Sequence, residues 1–166
     1  MRNLVFVLLL ALSLDVCNAQ SPPGKPVEPT AIGVVFRLDP SSQELKPLPD
    51  EQWKSKGKTG WVTVTGVIII SGSSAAFRIK AGEKAEFVFV SGNPENARLY
   101  RFDQKSNERQ LELVKRKGRT QETFQGIPFE LTKFGGSSYK LAPKAPLEPG
   151  EYAVALGAKL FTFGID

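Results

Sequence analysis

Histidine is absent from the 166 residues, and Cys17 is the only cysteine. Without histidine there is no Ser-His-Asp triad, no Cys-His dyad and no ordinary zinc site, so most hydrolytic mechanisms are excluded. No Asn-x-Ser/Thr acceptor occurs, and no long hydrophobic run follows the first fourteen residues. The glycine-lysine ending of a phosphate-binding loop is missing after Ser71-Gly72-Ser73-Ser74, and no Asp-x-Asp-x-Asp-Gly spacing marks a calcium loop. Asp39, Asp50 and Asp103 therefore read as turn residues, and no cofactor is implied. Carboxylates remain the one route to catalysis, but none is paired with another near an aromatic pocket.

The amino-terminal stretch has a definite pattern. Arg2 precedes an apolar run from Leu4 to Leu14, interrupted only by Ser13, and Cys17-Asn18-Ala19 before Gln20 forms a small-residue cleavage site. This predicts a secretory signal peptide over residues 1–19, because the run is too short to span a bilayer. Cys17 raises a second possibility, a lipid-modified cysteine, with Leu14 at the right place and Val16 a poor fit before it. Cleavage after Ala19 leaves about 147 residues without cysteine, enough for one domain with its own core and no disulfides. The protein is expected to be secreted or periplasmic, and the absence of disulfides and glycosylation acceptors favours a bacterial origin.

Residues 20–30 hold four prolines between Pro22 and Pro29 and read as an extended linker. From 31 to 166 the pattern is β throughout. Ile32, Val34, Phe36 and Leu38 alternate as the buried face of a first strand, and Trp61 to Ile70 has the β-branched density of a central strand, with Gly66 marking a bulge. Further extended segments are predicted over 75–80, 84–91, 97–103, 109–117, 127–131, 139–141, 151–156 and 160–165, separated by turn residues. Residues 43–60 read as a long outer loop and 118–126 as a flexible one. Phe77, Phe87, Phe89, Phe129, Tyr152, Phe161 and Phe163 form the expected core of an all-β, single antiparallel β-sandwich of about ten strands, Ig-like or Greek-key.

One stretch is richer than the rest. Pro146-Leu147-Glu148-Pro149-Gly150 sets a turn, with Gly150 able to take a positive φ, and Tyr152, Val154 and Leu156 then alternate along a strand. Tyr152 is expected to enter the core and bond back to the upstream backbone. Leu147, Pro149, Gly150, Tyr152 and Val154 resemble the L-x-P-G-x-Y-x-V strand of secreted Ig-like and prealbumin-like β-sandwich modules. That resemblance implies architecture rather than activity.

Charge supplies the candidate site. The chain carries a net +5, with one cluster at Lys54, Lys56 and Lys58 between Trp53 and Trp61, and another at Lys115, Arg116, Lys117 and Arg119. Basic groups beside aromatic rings suit anionic polymers or sugars, whereas a solvated face is the plain alternative. The sequence thus predicts a non-catalytic binding or structural module at the cell envelope or outside the cell. Its partners would be proteins or polysaccharides rather than nucleic acid. A carbohydrate- or anionic-polymer-binding module and a small glycan-acting enzyme using carboxylates are the two alternatives.

Overall fold

The computed structural model describes residues 27–59, 63–117, 120–124 and 126–166. The predicted signal peptide, most of the linker, Trp61 and Arg119 lie outside the described residues. The described residues are all-β, with thirteen strands and one 3-10 turn at Pro94–Asn96 among them. The strands are β1 (Val35–Leu38), β2 (Leu45–Pro47), β3 (Trp53–Thr59), β4 (Thr63–Ser71), β5 (Arg78–Ile79), β6 (Glu86–Val90) and β7 (Arg98–Lys105). They continue as β8 (Glu108–Lys117), β9 (Thr120–Thr123), β10 (Phe129–Lys133), β11 (Ser138–Pro143), β12 (Gly150–Leu156) and β13 (Lys159–Ile165).

One sheet has the order β10-β11-β6-β1-β2 and the other β3-β4-β8-β7-β12-β13-β5, with β9 beside β8. Their facing sides make the sandwich core. Val35, Phe87, Phe89 and Leu141 from the first sheet pack against Leu99, Tyr152, Val154, Phe161, Phe163 and Ile165 from the second. Phe77 and Phe129 lie at the margin of this core, only partly buried.

A second core lies on the other side of β12 and β13. Ala153, Ala155 and Leu160 there meet Ile68, Ile70, Phe102 and Leu111. The cause is a fold-over of the larger sheet: β8 pairs with β7 only through Asp103–Lys105 and Glu108–Gln110, so β3, β4 and β8 swing across the back of β12 and β13. Small alanines on that face let the third layer approach closely. This corrects the single core expected from the phenylalanine pattern, and it explains why every residue of β12 and β13 after the first is buried.

The predicted strands reappear with shifted bounds, shorter at β1, β4, β5 and β6 and longer at β7, β8, β11, β12 and β13, and the register shift at Gly66/Val67 is the bulge that the glycine foretold. Other expectations are corrected. The long loop over 43–60 holds β2 and β3, and the loop after Gly118 holds β9. The pairing is not wholly antiparallel, because β13 pairs with β5 in parallel. In β1 the period-two pattern is offset: Ile32 is 78% exposed, while Val35 and Arg37 are buried. Of the acids read as turn residues, Asp39 fits, accepting bonds from the N–H groups of Ser41 and Ser42, whereas Asp103 sits within β7.

Arg37 is the costly element in that offset. Its side chain is 4% exposed, its nearest carboxylate is Glu83 at 3.9 Å, and Nη1 has no hydrogen-bond partner among the described residues. Burial pulls its pKa below the ordinary arginine value, against the carboxylates of Glu83, Asp39 and Glu86. A buried guanidinium with incomplete partners is less favourable than a packed hydrocarbon. Arg37→Leu is therefore expected to stabilise the protein by about 1 kcal/mol or more in urea unfolding, and a loss of stability would mean that the guanidinium is satisfied in solution.

Candidate functional site

The corner preceding β12 is structural. Tyr152 is 2% exposed and its hydroxyl donates to the Glu148 carbonyl at 2.7 Å, while its ring stacks on Phe163 with centroids 5.5 Å apart. Gly150 has φ of 154°, far from the value near +80° of a type II turn. That positive φ is one that side-chain-bearing residues rarely adopt, and a Cβ there would also lie 3.3 Å from Arg101 Nε, so backbone and neighbour both favour glycine. Arg101 donates to Glu148 Oε2 at 2.7 Å and to the Pro149 carbonyl at 3.1 Å, closing the corner from outside.

A chain of charges seals the end of the second core. Arg109, 2% exposed, reaches from β8 to the Glu51 carboxylate and donates to the Gly72 carbonyl at 3.1 Å. Glu51 also accepts from the Thr162 hydroxyl. Glu151, likewise 2% exposed, takes the Ala75 N–H at 2.7 Å and pairs with Arg78, which continues to Asp166. The bonds from Asp166 and Glu151 hold the Arg78 pKa above its ordinary value. Gly164 leaves room for this arginine, because a Cβ there would sit 1.7 Å from Arg78 Nη1. The sequence hid this network, since its members are spread from residue 51 to 166 and only pairing of the strands brings them together.

The binding residues predicted from sequence fall on two adjacent parts of the folded-over layer. Trp53, Lys54, Lys56 and Lys58 are all on β3, the outer strand of its sheet, and not on a loop. Lys115, Arg116 and Lys117 are on β8, with β4 between the two strands; Thr65 pairs with Lys58 on one side and Lys115 on the other. The side chains of Lys58, Lys115, Arg116 and Lys117 lie outside the described residues, as does all of Arg119.

Strand geometry divides what the sequence joined. Successive residues of β3 face opposite sides, so Trp53, Ser55 and Gly57 share one face while Lys54 and Lys56 share the other. Trp53 pairs with Ile70 and donates Nε1–H to the Ala158 carbonyl at 2.9 Å. Its ring remains 38% exposed.

A groove borders Trp53 on each side. One, of about 380 Å³, runs between Trp53 and Leu113 over the facing pair Gly57 and Gly66, with Ser55, Lys56 and Ile68 along it. The absence of side chains at the two glycines opens it. The other, of about 390 Å³, is bordered by Gln52, Lys54, Lys56, Ile69, Ser71 and Glu108. Trp53, Ser55 and Lys56 line both grooves, so the two share one ridge of β3, and Lys54 borders the second alone. Comparison with known proteins gives no match: no family model, no curated protein and no solved structure corresponds to this chain.

Proposed function

We propose that this protein is a non-catalytic binding module, working outside the cytoplasm at a bacterial cell envelope or beyond it, that holds an anionic polysaccharide along β3. The observation that carries this reading is the pair of grooves sharing Trp53 and exposed Lys56, one of them also bordered by exposed Lys54. A sugar ring can lie against the indole, and the ammonium groups attract its carboxylate or sulfate. Lysines are flexible point charges, so attraction without fine sequence selectivity follows. The leader-like amino terminus supports the location. The engagement of Glu51 and Glu151 by arginines, a hydroxyl and an N–H supports the non-catalytic reading, since neither carboxylate is left open to a substrate.

Titration with a heparin-like polymer tests it. Contacts with a polyanion release counterions, so the affinity is expected to fall about tenfold or more between about 50 and 200 mM salt. In Lys54→Gln/Lys56→Gln the salt dependence flattens. Trp53→Ala weakens charged and neutral polysaccharides alike, by roughly tenfold if stacking resembles that of other flat rings. Equal binding by wild type and both variants would remove β3 as the contact surface.

A further inference from the structure

A different part of the molecule holds a carboxylate already. The segment Val27–Gly33 runs beside the first sheet, where Ile32 bridges Val90 in parallel and the Gly33 N–H donates to the Val90 carbonyl at 3.1 Å. Pro29 is buried, whereas Val27 and Ile32 on either side of it are 71% and 78% exposed. The segment's specific anchor is Glu28. Oε1 accepts from the Gly136 N–H at 2.9 Å and Oε2 from the Ser138 hydroxyl at 3.1 Å, with the Ser137 N–H also directed at the carboxylate.

The turn between β10 and β11 is shaped for that group. A Cβ on Gly135 would lie 2.0 Å from the Glu28 carboxyl carbon, so a side chain at 135 and a carboxylate cannot share the space. Lys133 adds a positive charge and braces the turn, donating to the Gly136 carbonyl at 3.0 Å. Ser138, which supplies the hydroxyl, is fully buried. Successive N–H groups, one hydroxyl and a nearby ammonium make an anion-binding concavity.

We propose that the turn Phe134–Ser138 is a carboxylate-binding site in its own right, closed in this chain by Glu28, and that Val27–Gly33 is a strap that a competing carboxylate releases. The recognised chemistry is a planar carboxylate presented by an extended chain or free in solution. This site lies apart from β3 and stands whether or not β3 binds a polymer.

The test is an NMR titration with sodium acetate, matched against sodium chloride. In Glu28→Ala the Gly136 and Ser137 amides are expected to shift saturably with acetate and not with chloride, while wild type needs far higher acetate for the same shift. Adding Ser138→Ala should weaken acetate about tenfold, the worth of one charge-assisted bond, and adding Gly135→Ala should abolish its binding by filling the space. A short peptide carrying residues 26–33, tested beside acetate, distinguishes an extended chain from a free acid as the preferred form. No saturable acetate shift in a folded Glu28→Ala protein, or the same shift with chloride, would overturn the proposal. If that variant does not fold, wild type still decides the matter. The Gly136 amide should follow the Glu28 titration with a midpoint below the ordinary glutamate value, since the Gly136 N–H and the Ser138 hydroxyl both favour the charged form. An amide indifferent to pH would mean that no carboxylate occupies the turn.

Discussion

Arg109→Ala is expected to lose about 3–5 kcal/mol of stability, the usual consequence of removing one member of a buried ion pair. The guanidinium is 2% exposed and binds the Glu51 carboxylate together with the carbonyls of Gly72 and Ser71. Without it, the Glu51 carboxylate keeps, among the described residues, the Thr162 hydroxyl alone, and Glu151 loses a positive charge 4.0 Å away. Arg109→Lys should recover little, because an ammonium cannot reach a carboxylate and two carbonyls in the planar arrangement that a guanidinium uses. Pairing Arg109→Met with Glu51→Gln removes both charges, and the double variant is expected to be more stable than the sum of the single losses implies. Urea unfolding of the four proteins checks this. A loss below about 1 kcal/mol for Arg109→Ala would place the network among the screened surface pairs.

Tyr152→Ala is expected to cost a similar amount, about 3–5 kcal/mol, from the cavity left between Phe163 and the corner. Tyr152→Phe isolates the hydroxyl and should cost about 1 kcal/mol, one hydrogen bond to the Glu148 carbonyl. Burial raises the phenol pKa above its ordinary value of 10.0, with Arg101 opposing. A raised folded-state value favours the neutral form, so this contribution is complete below about pH 10 and is lost as pH rises through the folded value. Wild type should therefore lose stability faster than Tyr152→Phe above about pH 10. A melt of Tyr152→Ala within about a degree of wild type would show that the ring packs against nothing of consequence.

The fold was legible wherever burial imposed alternation on the chain. Tyr152, Val154 and Leu156 fill the sandwich core, and the tyrosine after Pro149-Gly150 could be placed at its corner from spacing alone. What stayed hidden follows from the fold-over. Ala153 and Ala155, which alternate with Tyr152, Val154 and Leu156, are the floor of a second core, and nothing local says that β4 and β8 will return across them. Strand β3 was missed since six of its seven residues are lysine, serine, glycine or threonine, which carry no apolar alternation; cross-strand pairing with β4 makes it a strand. The offset of β1 has the same kind of cause. Its core-facing side includes Arg37, and a charge there breaks the pattern that period-two counting relies on.

The candidate site was legible in composition and not in geometry. Trp53, Lys54, Lys56 and Lys58 were singled out together, but the expectation of a mobile loop joined ring and charges on one surface. The strand points Trp53 and the lysines to alternate faces, and the two grooves that flank it share Trp53, Ser55 and Lys56. Glu28, both of whose carboxylate oxygens accept a hydrogen bond, was passed over as part of a linker, because its partners Gly136 and Ser138 are more than a hundred residues away.

Chemical-shift mapping with a carboxylated polysaccharide at low salt tests the central claim, that β3 is the binding surface. The expected perturbations are the amides of Lys54, Ser55 and Lys56 and the Trp53 indole N–H, fading together as salt is raised. A rival concavity of about 300 Å³ lies elsewhere in the fold, between Gly82–Glu86 and Ala142–Leu147. Perturbations gathered there, or none at β3, would contradict the account.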